Sequence, residues 1–189
     1  MTSPSPNQAR FFVALLPPAE LQSQVTAIKQ EVWETYQSKA ALKSPPHITL
    51  QPPFLWNEDD VEPLKQHLAQ FAQGHPHVPV MLSGFGAFPP RVIYVDVVRE
   101  GRLMTIQPTL MDYLAETLGI VDKKSRNRRF APHMTVAFRD FKPATFRLAW
   151  PEFKERPFYK EFTAENLTLL KHDGQRWQVF ADFPFSSQL

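Results

Sequence analysis

Apolar and polar positions alternate along this chain with two different periods, and the changes of period mark its elements. Arg10 to Leu16 is an apolar run of strand length, ended by Pro17-Pro18. From about Pro18 to Ser38 the residues Leu21, Val25, Ile28, Val32 and Tyr36 recur every three or four positions. That spacing predicts a helix with one buried stripe and a proline in its first turn. A short period-2 segment follows over His47 to Gln51. Asn57 then stands where it can cap a second helix whose core face is Val61, Leu64, Leu68 and Phe71. Val78 to Phe88 and Arg91 to Val98 read as paired strands separated by Pro89-Pro90.

The second half of the chain follows the same order. Arg102 to Leu118 carries a helical stripe, with Gly119 placed to cap it and Pro108 predicting a late start or a kink. Another period-2 segment covers Pro132 to Val136, and Pro143 to Arg156 is the least regular stretch, with a helix expected only before Pro151. Glu161 to Lys171 and Arg176 to Phe183 read as a hairpin around His172-Asp173-Gly174. The hairpins make the sheets mostly antiparallel, so the class is α+β. We expect one domain over residues 1–189, with two pseudo-symmetric lobes and flanking helices around a central groove.

The two period-2 segments are nearly the same sentence. Pro46-His47-Ile48-Thr49-Leu50 recurs as Pro132-His133-Met134-Thr135-Val136, where composition alone predicts far less than one copy. On a strand, Ile48 and Leu50 face one side while His47 and Thr49 face the other, and the second copy does likewise. Two buried anchors thus present an imidazole beside a hydroxyl, twice.

Composition narrows what this pair can do. There are no cysteines, which removes disulfides, thiolate metal sites and cysteine nucleophiles. No carboxylate lies within five residues of either histidine, so a metal-free site is expected, although distant residues remain able to complete a metal site. No G-x-S-x-G marks a serine nucleophile, and Gly84-Phe85-Gly86 lacks the rest of a phosphate loop. The net charge of +2 is too small to argue for nucleic acid by itself. Lys123, Lys124, Arg126, Arg128 and Arg129, however, crowd the segment before the second motif, either as a solvated loop or as a contact for an anionic substrate. The first thirty residues show no signal-peptide pattern and no apolar run reaches about 18 residues, so we expect a cytoplasmic protein with no membrane partner.

Paired imidazoles suit a reaction at phosphorus. Opening a cyclic phosphodiester needs a base for the attacking water and an acid for the departing ribose oxygen, and imidazole serves as either near neutral pH. Threonine hydroxyls between them can donate to the non-bridging oxygens.

The doubled motif, with its histidines 86 positions apart, resembles the paired H-x-T-x signature of the two-histidine phosphoesterase superfamily. Within it the chain is most similar to the bacterial 2′-5′ RNA ligase / RNA 2′,3′-cyclic phosphodiesterase family. Arg10 to Leu15, Gly84 to Pro89 and Arg129 to Pro132 agree as well. The resemblance implies a bilobal fold with His47 and His133 as catalytic residues and Thr49 and Thr135 as substrate-binding residues. It implies RNA or a cyclic nucleotide as substrate; no cofactor and a monomeric chain are our own expectations. Of the histidines, His133 is expected as base and His47 as acid. The family's second motif often places an arginine soon after the threonine; here Phe138 precedes Arg139, which on an ideal strand still shares the face of His133 and Thr135. Two alternatives stay open: an RNA- or nucleotide-binding module without turnover, and a phosphodiesterase for small cyclic nucleotides. Core packing is expected of Phe54 and Phe138, with base stacking as the alternative. His67, His75, His77 and His172 fall on a polar helix face or in turns and carry no expected role.

Overall fold

A computed structural model describes residues 7–123 and 128–187. Eight strands form two antiparallel sheets. The first is ordered β2-β1-β7-β8, from Ile48–Asn57, Gln8–Leu15, Asn166–His172 and Trp177–Pro184. The second is ordered β5-β4-β3-β6, from His133–Ala137, Val92–Val97, Val78–Phe88 and Tyr159–Ala164. Four helices flank them: α1 (Ala19–Tyr36), α2 (Val61–Gln73), α3 (Gly101–Leu118) and α4 (Pro143–Glu155). None is long and apolar enough to cross a membrane.

The lobes are not the two halves of the chain. The first sheet takes the beginning and the end of the sequence, and the second takes the middle. The internal repeat is nevertheless visible. In each sheet a motif strand lies at the edge and pairs with the strand that precedes an 18-residue helix: β1-α1-β2 in one, β4-α3-β5 in the other. The helices then cross over, α1 packing against β5 and α3 against β2. One continuous apolar core, including Phe11, Leu50, Leu64, Leu110, Val136 and Phe153, runs beneath both sheets.

Several elements depart from their sequence patterns for identifiable reasons. β2 continues through Pro52 and Pro53 to Asn57; as an edge strand it loses no ladder bond on its open side. Glu161 to Lys171 is not one strand. The chain leaves the second sheet after Ala164 and enters the first at Asn166, a switch that two consecutive apolar-rich strands conceal. α3 runs through Pro108 and α4 through Pro151, while Pro18 caps α1 rather than entering it. Asn57 does cap, but over a 3₁₀ turn ahead of α2, accepting from the Asp59 amide. Gly119 ends α3 in the left-handed region, in keeping with its position after the helical stripe.

Candidate active site

The two motif strands lie against each other across a cleft of about 560 Å³. His47, just before β2, and Thr49 line it from one side, and His133 and Thr135 line it from the other. Their neighbours Ile48, Leu50, Met134 and Val136 are all fully buried, so the alternation read in the sequence holds in both copies. Among the described residues neither threonine hydroxyl is used in an internal hydrogen bond, which leaves both available to a ligand.

Both imidazoles are held by the same local device. His47 Nδ1 lies 2.7 Å from the Pro45 carbonyl, and His133 Nδ1 lies 2.7 Å from the Ala131 carbonyl. A carbonyl oxygen only accepts, so each Nδ1 carries the proton and each neutral ring keeps its lone pair on Nε2. Aromatic contacts fix the rings further. Phe12 sits 4.8 Å from His47, with Trp177 edge-on to Phe12 at 4.6 Å. Tyr94 and Phe88 each sit 5.1 Å from His133. Tyr94 in turn lies over Gly86, where a Cβ would come within 2.3 Å of its ring.

The surroundings of the two rings differ in charge. Burial holds His47 down to about 4, opposed by its bond to Pro45 and reinforced by Lys29 and His133. Lys29, itself buried and lowered to about 7 by desolvation, donates to the Ser44 carbonyl at 3.0 Å, bracing the turn into the motif. Burial lowers His133 as well, but here the Ala131 bond and the Asp96 carboxylate favour the charged form, against Arg99. Asp96 is the cross-strand partner of His133 on β4.

Arg139 reaches the cleft by a different route from the one its spacing suggests. β5 ends at Ala137, and Arg139 takes a left-handed conformation (φ 59°), with its guanidinium 5.1 Å from the Phe138 ring. The same turn delivers Asp140, which accepts from the Ser38 hydroxyl at 2.6 Å and from the Lys39 and Ala40 amides at 3.0 and 3.1 Å. That clamp brings Lys39 and Lys43 to the cleft wall beside Arg139. Phe138 lines the cleft and is absent from the core, whereas Phe54 packs on Phe11 at 6.3 Å.

Sequence reasoning missed Phe12, Lys39, Lys43, Phe88, His172 and Trp177, all of which line the cleft. His172 reads as a turn histidine in the sequence, but it ends β7, and only the pairing of β7 with β1 brings it there. Of the basic run, Lys124 and Arg126 lie outside the described residues. Lys123, Arg128 and Arg129 are exposed and do not line the cleft. A separate hollow of about 650 Å³ lies along Val80, Met81, Arg102 and Glu161 and holds neither motif. Among the described residues no three His, Asp or Glu side chains converge to chelate a metal ion.

Comparison with known proteins agrees with this architecture. A candidate phosphoesterase of Geobacillus kaustophilus is 25% identical over 177 residues, 92% of this chain and 95% of that protein. Among solved structures, Escherichia coli LigT complexed with 3′-AMP superposes with a TM-score of 0.68 at 19% identity, covering 94% of this chain and 98% of that one. A Thermus thermophilus protein gives 0.65 at 21% identity, covering 95% and 100%. At these identities the structural likeness establishes the fold. The model of the 2′-5′ RNA ligase superfamily matches residues 17–176, so the chain belongs to that superfamily.

Proposed function

We propose that this protein is a phosphoesterase that opens RNA 2′,3′-cyclic phosphates by acid–base catalysis between His47 and His133. Superfamily membership supports the phosphoesterase class. The observation that carries the finer reading is the matched pair of Nδ1-anchored imidazoles, each beside an uncommitted threonine hydroxyl, on opposite walls of one cleft. One Nε2 takes a proton from water as its oxygen attacks phosphorus. The other ring delivers a proton to the ribose oxygen as its bond to phosphorus breaks, leaving a phosphomonoester. Thr49 and Thr135 donate to the non-bridging oxygens, with Arg139 adding charge. With a 5′-hydroxyl in place of water, the same pair forms a 2′-5′ linkage.

The electrostatic asymmetry supports the opposite assignment to the one expected above, with His47 as base and His133 as acid. His47, whose charged form is the more disfavoured, is the better neutral base. His133, with Asp96 across the strand, is the better holder of a proton and so the acid. The test is incubation with 2′,3′-cyclic mononucleotides and with a cyclic-phosphate-ended oligoribonucleotide, in EDTA. Phosphomonoester product is expected. An absolute metal requirement overturns the mechanism, and binding without turnover returns the chain to a nucleotide-binding module.

A further inference from the structure

Beyond the cleft lies a second trough of about 760 Å³ that opens into it, with Lys39, Lys43, Arg139 and His172 lining both. Arg10 from β1 and Arg176 from the β7–β8 turn complete its wall. No carboxylate lines it, and none of its five Lys and Arg side chains lies within 4 Å of one among the described residues. Two carboxylates stand in the turns that carry these cations: Asp140 accepts from Ser38, Lys39 and Ala40, and Asp173 accepts from the Gln175 and Arg176 amides and from Gln178. The Arg10 guanidinium rests 5.6 Å from the Trp177 ring, which holds it in place. At the trough's other side Trp33 is 45% exposed, an aromatic surface open to a ligand.

Five cations against the two carboxylates of the same turns, Asp140 and Asp173, leave the trough net positive, and an anion with spaced charges relieves their mutual repulsion. The reacting phosphate occupies the cleft, so the charges beyond it call for a further phosphate on the same molecule. A cyclic phosphate closes the 3′ end of a strand, so the only nucleotides that can follow it out of the cleft are those on its 5′ side. Resting on the function proposed above, we infer that this trough binds the phosphodiester preceding the reacting phosphate, with Trp33 offering a stacking face to a base. The substrate is therefore an RNA strand of two or more nucleotides rather than a mononucleotide.

The double variant Arg10→Gln/Arg176→Gln tests this, since both side chains are exposed and lie outside the cleft. Lys123→Gln/Arg128→Gln, which removes the same charge elsewhere, is the control. On a cyclic-phosphate-ended tetranucleotide the trough variant should lose roughly tenfold in kcat/KM at low salt. Its salt slope should flatten by about 0.7 for each phosphate that it no longer neutralises. A 2′,3′-cyclic mononucleotide should be turned over at the wild-type rate. Equal losses on both substrates, an undiminished rate on the tetranucleotide, or an equal loss in the control variant each overturn the inference. If the wild type turns over neither substrate, the function proposed above fails instead. Fluorescence anisotropy with a labelled 3′-phosphorylated tetranucleotide still decides the trough: weaker binding by the trough variant alone supports it, and equal binding by all three proteins overturns it.

Discussion

The walls carrying His47 and His133 share a backbone device but not a setting. Each histidine bonds the carbonyl two residues before it, and each motif strand is the edge of its sheet. Yet β2 runs for ten residues past its histidine and meets a buried lysine, whereas β5 is five residues long, faces a carboxylate and ends in a left-handed turn. Duplication has preserved what orients the rings. It has not preserved what sets their charge, because charge comes from neighbouring elements that differ between the sheets. Chemistry that needs one acid and one base benefits from that division.

Removing either ring is the severest way to break the comparison. His47→Ala and His133→Ala should each lower turnover by roughly 10²–10⁴-fold while the thermal transition persists, since both side chains face the cleft. Near-normal activity in either variant would remove that ring from the mechanism. A milder test removes only the hydroxyls. Thr49→Val and Thr135→Val keep the β-branched shape and should each cost about 10²-fold in the chemical step, read in single-turnover kinetics.

Protonation sharpens the contrast. His47 is held at about 4 when folded and titrates near 6.5 when unfolded, so below 6.5 the unfolded chain binds the extra proton. Stability is therefore unaffected by this ring above pH 6.5 and falls as pH drops towards 4, by up to about 3 kcal/mol. Denaturant titrations of wild type and His47→Gln should converge accordingly on acidification; a constant difference would show that burial does not depress this ring. For kcat/KM, the base must be neutral and the acid charged, so the optimum lies below about pH 6.5.

The supports of His133 give the smaller effects. Gly86→Ala drives a methyl group into the Tyr94 ring and should destabilise by about 1–3 kcal/mol, with no counterpart on the His47 side. Asp96→Asn removes a charge that favours the His133 imidazolium, so the alkaline limb of kcat/KM should move to lower pH. An unmoved limb would place the acid elsewhere.

Much of this molecule is legible in local pattern. The α1 stripe, the Gly119 cap, the β3–β4 pair and the facing of His47, Thr49, His133 and Thr135 all follow from side-chain spacing, which the backbone period converts directly into direction. Where spacing is extended past the element it fails: Arg139 shares the face of His133 only on a strand that continues, and β5 stops at Ala137. The strand switch at Glu165 is hidden because both of its flanks alternate alike, and only partner strands reveal which sheet each joins.

The sequence by itself thus determined the two motifs, their inward face and the alternation that buries their neighbours. Tertiary structure alone decided that the motifs stand on edge strands of different sheets, that His172 and Trp177 return from the far end of the chain, and that Lys39, Lys43, Arg10 and Arg176 gather around them. The physical reason is range. Direction along a strand is set by the residue's own backbone, whereas charge, burial and the walls of a cleft are sums over neighbours far away in the chain.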